Sequence, residues 1–583
     1  MSGSRDVNAG KDPSGDSTPR DEAGQKPGAG ALQDQQVRLR DESVAGGELR
    51  DDAYRLSYDT IKQLSSHHRD HRNRNPELFR KWISDLKSTL SKRGQAITNT
   101  LSFEKLKGVY HSTTAHSRSM SHMDNTRFDH CIHAAHTARV LGHRLGLTPY
   151  EVNVIELVML QHDTHRLGSH ALDRVFSSMP GAPKIDEWWA KGDYHEYHGA
   201  LIVAADSDLR RILDKYLPDV LAILSFDDKR SLAERNRDYG PVQPRLSPER
   251  IKALYHLKDE LDRCSYLKLD YIRSGFKPEL IAQVVRDVER HELTLSSHGD
   301  ELRINIDGTG GDRPFDDVAR WRHFYRANIA TLPIGCLAEK VIFHDGVWDR
   351  AVKKFGQRDL ESAKLYRFVR DEALAGRYEN ILSDEALAFL KAAETGDGLS
   401  VEDVYAPLVT LTFADFSETR GRKALEGCVP SGLASELCGV PRTDMTVLEA
   451  ELRNALKLAG IDTKVHLLIT NDFGKTLKYS VSEGGGEPVE RLVFTDCSPQ
   501  LLRVIVAGRA INQEGEGVDL RSTKLVVDDF LRRGGYLKDA SGLSNPNLNV
   551  FCESNDDTFF SPGPASRMAS VVPEWLRLEV PVR

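Results

Sequence analysis

TPYEVNVIELVMLQHD, residues 148–163, is the stretch from which the fold class follows. Thr148 precedes a proline, and Glu151 lies three residues after it, an arrangement typical of the first turn of a helix. The apolar residues that follow recur at helical spacing and predict a buried helix. We expect this helix to end at His162 and Asp163, where a carboxylate in apolar surroundings is costly unless it is paired or binds a metal ion.

Helical spacing extends outward from this stretch in both directions. It recurs between about Asp51 and Arg230, and a second long helix is predicted to start near Ser247. This helix carries Asp262, Tyr266 and Asp270 at positions i, i+4 and i+8, which places the three side chains on one face. We therefore predict a mostly α fold.

The later part of the chain has a different pattern. ELTLSSHGDELRINID, residues 292–307, predicts a β-hairpin, and beyond residue 399 the runs KVHLLIT, KTLKYSV and RLVFTD alternate with turn residues. The first residues are poor in large apolar side chains, which is typical of disorder. We expect three parts: a disordered tail at 1–50, a helical domain at 51–398 and a smaller α+β lobe at 399–583.

Composition narrows the class of protein. The chain has 583 residues with 39% hydrophobic content, enough for more than one core, and no apolar run long enough to cross a bilayer. Its start has no apolar segment of a secretory signal, so we expect a cytoplasmic protein without a membrane partner. The seven cysteines form no CxxC pair, and the formal charge of -8 makes nucleic acid an unlikely main substrate.

Imidazole and carboxylate side chains recur together in the helical part. The pairs are Arg127 with His130, His162 with Asp163, His195 with Glu196, and Asp262 with Asp270. Such residues supply the mixed nitrogen and oxygen ligands of a divalent metal ion, which generates a hydroxide nucleophile near neutral pH. The pattern predicts a metal-dependent phosphohydrolase, and each pair alone would also fit a salt-bridged or exposed helix end.

Five segments of the helical part resemble the HD-domain deoxynucleoside triphosphate triphosphohydrolases, which include bacterial dGTPases and the vertebrate SAM-and-HD-domain enzyme. They are RFDH (127–130), HD (162–163), HALDRVF (170–176), YHEYHGALIV (194–203) and LDRCSYLKLDYIRSG (261–275). The resemblance is specific from about Ile97 to Gly275 and weaker near Arg322. The C-terminal lobe is only loosely similar to that of the vertebrate enzyme, and the tail shows no SAM domain.

The resemblance implies a helical HD-domain core and four ligands of one metal ion: His130, His162, Asp163 and Asp262. Two imidazoles and two carboxylates suit manganese, iron, magnesium or zinc, and the sequence does not choose among them. A second magnesium ion could accompany the triphosphate.

The family's reaction releases a deoxynucleoside and intact triphosphate from a deoxynucleoside triphosphate. The resemblance implies that His170 and His195 are the candidates for protonating the departing 5′ oxygen. Asp173, one helical turn after His170, would orient one of these imidazoles.

The resemblance also implies a set of substrate-binding residues. Arg127, Arg263 and Arg322 stand where the family contacts phosphates, with Arg263 replacing a lysine. Tyr266 and Asp270 match residues that pack on the sugar and read its 3′ hydroxyl.

The remaining substrate-binding candidates include two departures from the family's pattern. The family's HD-x-G-H motif is one residue shorter here, and His165 takes the place of its last histidine. His111 replaces a glutamine that contacts the sugar. Tyr325 belongs to the segment RHFYRANI, residues 322–329, which also aligns Arg322.

Relatives in this family are often oligomers that nucleotides activate, so the resemblance implies a homo-oligomer, a nucleotide activator and a role in antiviral or antiphage dNTP depletion. Two other functions remain open. An HD-type phosphodiesterase or nuclease would use the same ligands on a single-stranded or cyclic nucleotide, and a nucleotide-sensing HD protein would regulate a partner without catalysis.

Overall fold

Helices make up most of the described chain, which confirms the predicted mostly α fold. The computed structural model describes residues 55–65, 76–117, 123–164, 172, 194–226, 239–240, 243–298, 301–306, 314–325, 329, 332–356, 363–374, 376–395, 397–405, 408–413, 442–470, 476–483, 489–494, 501–512, 514–516, 520–533 and 551–553. The predicted tail, residues 1–50, lies outside these ranges.

The described helices before the first strand lie between residues 58 and 294. They are α1 (Tyr58–Leu64), α2 (Pro76–Ser88), α3 (Lys92–Ile97), α4 (Leu101–Glu104), α5 (Arg127–Arg144), α6 (Pro149–Gln161), α7 (Tyr194–Ala205), α8 (Ser207–Leu213), α9 (Leu217–Leu224), α10 (Pro248–Arg273) and α11 (Pro278–Thr294). Short 3₁₀ turns occur at Lys105–Gly108, Thr113–His116 and Asp214–Tyr216.

The helices after the first hairpin are shorter on average. They are α12 (Pro314–Tyr325), α13 (Pro333–Glu339), α14 (Gly346–Phe355), α15 (Ala363–Leu374), α16 (Tyr378–Ile381), α17 (Asp384–Thr395), α18 (Val401–Tyr405), α19 (Arg442–Leu458) and α20 (Leu520–Arg533). A π-helical segment, Lys340–Asp345, joins α13 to α14.

The described strands form two sheets of four strands. The strands are β1 (Leu295–His298), β2 (Glu301–Ile306), β3 (Leu408–Phe413), β4 (Ile461–Thr470), β5 (Thr476–Glu483), β6 (Val489–Phe494), β7 (Leu501–Asn512) and β8 (Phe551–Glu553). The first sheet has the order β1-β2-β5-β6 and the second β4-β7-β3-β8. Among the described strands only β2 and β5 pair in parallel, with Ile304 opposite Val481. The predicted hairpin and C-terminal strands are thus confirmed.

The first sheet contains strands from both sides of residue 399. The hairpin β1–β2 belongs to the helical part, and β5–β6 to the predicted lobe. The described residues all lie within one compact unit, Gly46–Arg583. The division at 398/399 stays a prediction.

Helix α6 lies at the centre of the larger core. Its apolar residues are buried all round, as expected for a helix without a solvent-facing side. It packs against α3, α5, α9 and α10. A second apolar cluster forms around the π-helical segment and includes Phe343 and Leu382.

The predicted helix ends are confirmed. Thr148 and Glu151 form a reciprocal capping box at the start of α6, and His162 is its C-cap residue. Ser247 caps the start of α10. Capping side chains therefore mark the first residues of α6 and α10, and the end of α6 sets the position of His162.

No helix in the described ranges combines the length and apolar content needed to cross a membrane.

Candidate metal centre

Three helices bring the predicted ligands together. A capping box of Thr126 and Asp129 starts α5, so that His130 lies in its first turn. His162 stands at the C-terminal end of α6, and Asp262 lies near the middle of α10. Each of three helices that pack against one another thus contributes one predicted metal-binding residue.

The ligand atoms form a compact triangle. His130 Nε2 lies 3.1 Å from His162 Nε2 and 2.8 Å from Asp262 Oδ1. The third side, from His162 Nε2 to Asp262 Oδ1, measures 3.4 Å. Both histidines are buried, whereas the side chain of Asp262 is 36% exposed and marks the open side of the cluster.

These distances fit a divalent metal ion. Metal–ligand bonds of about 2.0–2.2 Å at angles of about 90–109° place neighbouring ligand atoms roughly 2.9–3.5 Å apart. The triangle matches one face of such a coordination shell. The described residues therefore include a group that could hold a metal ion.

Asp163, the fourth predicted ligand, lies slightly further away. Its Oδ2 is 3.9 Å from His130 Nε2 and 3.6 Å from His162 Nε2. The same oxygen accepts a 2.7 Å hydrogen bond from Arg127 Nη1. Arg127 thus places a buried cation beside the cluster and orients this carboxylate.

Partners outside the triangle orient the two imidazoles. His162 Nδ1 donates to the carbonyl oxygen of Met159 at 2.7 Å, which leaves Nε2 with its lone pair when the ring is neutral. His130 Nδ1 lies 3.2 Å from the hydroxyl of Ser265, which is also 2.9 Å from His133 Nδ1. Neither Met159 nor Ser265 stood out in the sequence, although Ser265 lies one helical turn after Asp262.

Burial and the close approach of the ligand residues to one another shift the pKa values of the cluster. Burial lowers the pKa of His130 to about 4. Burial also opposes the charged form of His162, but Asp163 outweighs it and raises the pKa of His162 well above its usual value. Burial would raise the pKa of Asp262, but hydrogen bonds from both histidines hold it well below its usual value. A divalent metal ion bound at His162 Nε2 would compete with a proton for this nitrogen.

Two other groups of metal-ligand types are less suitable. Cys131 and Asp163 approach His162, but Cys131 Sγ lies 4.0 Å from Nδ1, which already donates to a carbonyl, and burial raises the pKa of the thiol. The second group comprises Glu260, Cys264 and His291. There the Arg263 guanidinium pairs with Glu260 and disfavours a further cation.

Four predicted substrate-binding residues gather next to the triangle. The ring of His111 lies 4.6 Å from that of His130 and 5.9 Å from that of Tyr266, centroid to centroid. His111 Nδ1 lies 3.0 and 2.9 Å from the two carboxylate oxygens of Asp270. Tyr325 contacts Tyr266 and hydrogen-bonds Asp270. Asp262, Tyr266 and Asp270 follow one another along α10, as predicted from their spacing.

The predicted phosphate-binding arginines have different surroundings. Arg127 contacts Asp163 within the cluster. Arg263 pairs with Glu260, which in turn accepts from His291 Nε2 at 2.6 Å. Arg322 lies in α12, and its Nε and Nη1 are buried.

The side chains of the predicted acid–base residues are not among those that the structure describes. His170 and Asp173 lie outside the described residues, as does His165, which was predicted to bind the substrate. His195 belongs to α7, but its side chain is not described. Their roles stay predictions.

Comparisons with known proteins do not assign the chain to a family. No family model and no curated protein matches the chain. A crystal structure of a hypothetical protein from Aquifex aeolicus is similar at 11% identity and a TM-score of 0.42, over 75% of this chain and 96% of that chain. A similarity this low supports no conclusion about fold or function, so the function is inferred from the site.

Proposed function

We propose that the protein is a metal-dependent phosphohydrolase that converts deoxynucleoside triphosphates to deoxynucleosides and inorganic triphosphate. The observation that carries this proposal is the ligand triangle of His130, His162 and Asp262 beside the aromatic and carboxylate group on α10. A metal centre alone is common to many hydrolases. Its proximity to side chains suited to a sugar supports a nucleotide substrate.

The chain's own residues hold the parts of such a centre in place. A divalent ion would act as a Lewis acid on a phosphoryl oxygen and activate water near neutral pH. Met159 holds the tautomer of His162, and Arg127 holds Asp163. The Arg127 guanidinium also supplies positive charge where a triphosphate would lie against the cluster.

The side chain of Asp262 is the most exposed of the ligands, which supports entry of substrate from the α10 face. On that face Tyr266 is partly buried and has ring contacts with His111 and Tyr325. Stacked rings of this kind could pack closely on a deoxyribose. Close packing at C2′ would favour deoxyribonucleotides over ribonucleotides.

The proposal is tested by product analysis. Purified protein is stripped with a chelator, resupplied with manganese or magnesium, and incubated with single dNTPs, a mixture of all four, NTPs and a single-stranded oligonucleotide. We expect deoxynucleoside and intact triphosphate, no turnover after chelation, and recovery with the metal. A requirement for the mixture would indicate activation by nucleotides.

Two aspartate variants provide the matched comparison. Asp163→Ala removes the carboxylate beside the triangle and is expected to abolish turnover. Asp208→Ala removes an exposed aspartate that pairs with Arg211 on α8 and should retain it. Cleavage of the oligonucleotide with untouched dNTPs would instead indicate a phosphodiesterase. Nucleotide binding without any turnover would indicate a sensor, and either result overturns the proposal.

A further inference from the structure

The segment that carries His111 is attached by its backbone to the start of α5. Tyr110 and Thr126 form an isolated antiparallel bridge. On either side of this bridge the His111 amide donates to the Asn125 carbonyl at 2.9 Å, and the Arg127 amide donates to a carbonyl of the same segment at 2.7 Å. Helix α5 provides one of the predicted metal ligands. The segment and the metal centre therefore share a support.

The 3₁₀ turn Thr113–His116 attaches the same segment to the π-helical segment. The turn begins two residues after His111 and packs against α13 and α17. The ring of His116 lies edge-on to that of Phe343, with 4.8 Å between the centroids, and 5.4 Å from the ring of Tyr110. His116 and Phe343 are both buried. The position of the turn thus depends on the position of the Phe343 ring.

The π-helical segment is in turn bound to α19 and β4. Lys340, three residues before Phe343, places its Nζ 3.2 Å from Glu449 Oε1 on α19 and 3.4 Å from His466 Nδ1 on β4. All three of these polar side chains are buried. Separating a buried charge from its partner is costly, so the pair holds the two parts of the chain together.

The end of the π-helical segment packs closely on α17. A Cβ atom on Gly346 would lie only 2.5 Å from the Cβ atom of Ala386, so this approach requires glycine. The Gly346 carbonyl also accepts from the Ser383 amide at 2.9 Å. A segment packed this closely transmits a displacement to its neighbours instead of absorbing it.

We propose that the contact of α19 and β4 with Lys340 controls the position of His111, with Phe343 and His116 as positioning residues between them. While Lys340 is held, the Phe343 ring supports the turn, and the ring of His111 stays beside the metal centre. Release of Lys340 withdraws the Phe343 ring from the turn and frees the segment that carries His111. A contiguous set of packed side chains is the physical basis for such coupling. The consequence for turnover rests on the proposed function.

Hydrogen–deuterium exchange of the full chain tests the coupling without any need for turnover. Glu449→Gln removes the charge that pairs with Lys340 and keeps the size of the side chain. We expect the amides of residues 109–117 to exchange about tenfold faster, while those of α6 keep their wild-type rates. Glu451→Gln changes an exposed glutamate on the same helix and should alter neither set. Equal acceleration in both sets, or unchanged exchange at 109–117, overturns the inference.

A double-mutant cycle tests whether the coupling passes through Phe343. Phe343→Leu keeps an apolar side chain but removes the ring that contacts His116, and we expect a similar acceleration at residues 109–117. If both changes act along one path, Glu449→Gln adds less than about a twofold effect in the Phe343→Leu background. Independent contributions would multiply instead, and that result overturns the assigned role of Phe343.

Kinetics relates the coupling to the proposed reaction. In Glu449→Gln and in Phe343→Leu we expect KM for dNTPs to rise by about tenfold, because the segment that carries His111 is no longer held in position. The affinity for manganese should change less than about threefold, since the predicted ligands on α5, α6 and α10 are unaltered.

A wild-type KM in both variants, despite faster exchange at residues 109–117, overturns the control of the site. Absence of dNTP hydrolysis by the wild type overturns the proposed function. The exchange experiment then still decides whether α19 and β4 hold the segment that carries His111, so the two failures are distinguishable.

Discussion

Replacing Asp262 with alanine is expected to reduce the affinity for a divalent metal ion by at least about 100-fold and to abolish hydrolysis. Loss of groups that only orient a ligand typically costs 10–100-fold in affinity, so loss of a direct ligand should cost more. Among the described residues, Asp262 Oδ1 is the one carboxylate oxygen within 3.4 Å of both histidine Nε2 atoms. Without it the two imidazoles would remain, and Asp163 would stay bonded to Arg127.

The measurement is a metal titration by calorimetry on chelator-stripped protein, combined with elemental analysis of the protein as purified. Asp259→Ala is a close control, because Asp259 lies on the same helix with 39% exposure and pairs with Lys258. We expect this variant to bind metal as the wild type does. Thermal unfolding of both variants checks that the helix remains folded.

An Asp262→Ala protein that binds metal with wild-type affinity would contradict the candidate centre. Retained affinity in this variant together with a loss in Cys264→Ala would move the metal to the group of Glu260, Cys264 and His291. The same titration thus distinguishes the two groups of described residues.

The second large effect is expected at Lys340, whose replacement by methionine should lower the free energy of unfolding by about 3–5 kcal/mol. Lys340 is buried in the π-helical segment, with Nζ 3.2 Å from Glu449 and 3.3 Å from Asp345. His466 Nδ1 lies 3.4 Å from the same nitrogen. Removing the cation would leave the buried Glu449 and the half-buried Asp345 without their shared partner.

Lys340 connects parts of the chain that are distant in sequence. Glu449 lies on α19 and His466 on β4, whereas Lys340 follows α13. Burial would lower the pKa of Lys340, but Asp345 and Glu449 outweigh it and raise that pKa. The amine is therefore charged, and its loss should loosen the contact between α19, β4 and the helical part.

Urea unfolding followed by near-ultraviolet circular dichroism measures this effect. Lys353→Met serves as the control, because Lys353 is 71% exposed, pairs with Asp384 at 3.4 Å and should contribute less than about 1 kcal/mol. Adding Glu449→Gln to Lys340→Met should restore part of the lost stability by removing one uncompensated charge. A change below about 1 kcal/mol in Lys340→Met would show that the buried ion pairs contribute little.

Local signals predicted the helices that carry the candidate centre. The capping box at Thr148 and Glu151 defines the start of α6, and its end places His162 at the edge of the core. The spacing of Asp262, Tyr266 and Asp270 predicted a shared face on α10, and their contacts with His130 and His111 agree with it. Such signals work because helix ends and helix faces depend on residues within a few positions of one another.

Partner choice among polar side chains could not be predicted in the same way. The family resemblance implied that Arg263 contacts phosphate, which stays a prediction, and it gave no sign of the pair that Arg263 forms with Glu260, one turn away on the same helix. Asn125 and Ser265 received no role from the sequence, although each orients a histidine or its carboxylate partner near the centre. A polar residue acquires its partner from the packing of several helices, and composition or spacing does not report that packing.

The sequence by itself determined a mostly helical fold, the termini of α6 and α10, the common face of α10 and the strands of the later part of the chain. Only the tertiary structure decided that His130, His162 and Asp262 meet within 3.4 Å, that Asp270 is enclosed by His111 and Asn125, and that β2 pairs in parallel with β5. The physical reason is the separation along the chain between the residues that interact. Periodicity and capping are encoded by neighbouring residues, whereas these contacts join segments far apart in sequence and form only when burial of the core brings the segments together.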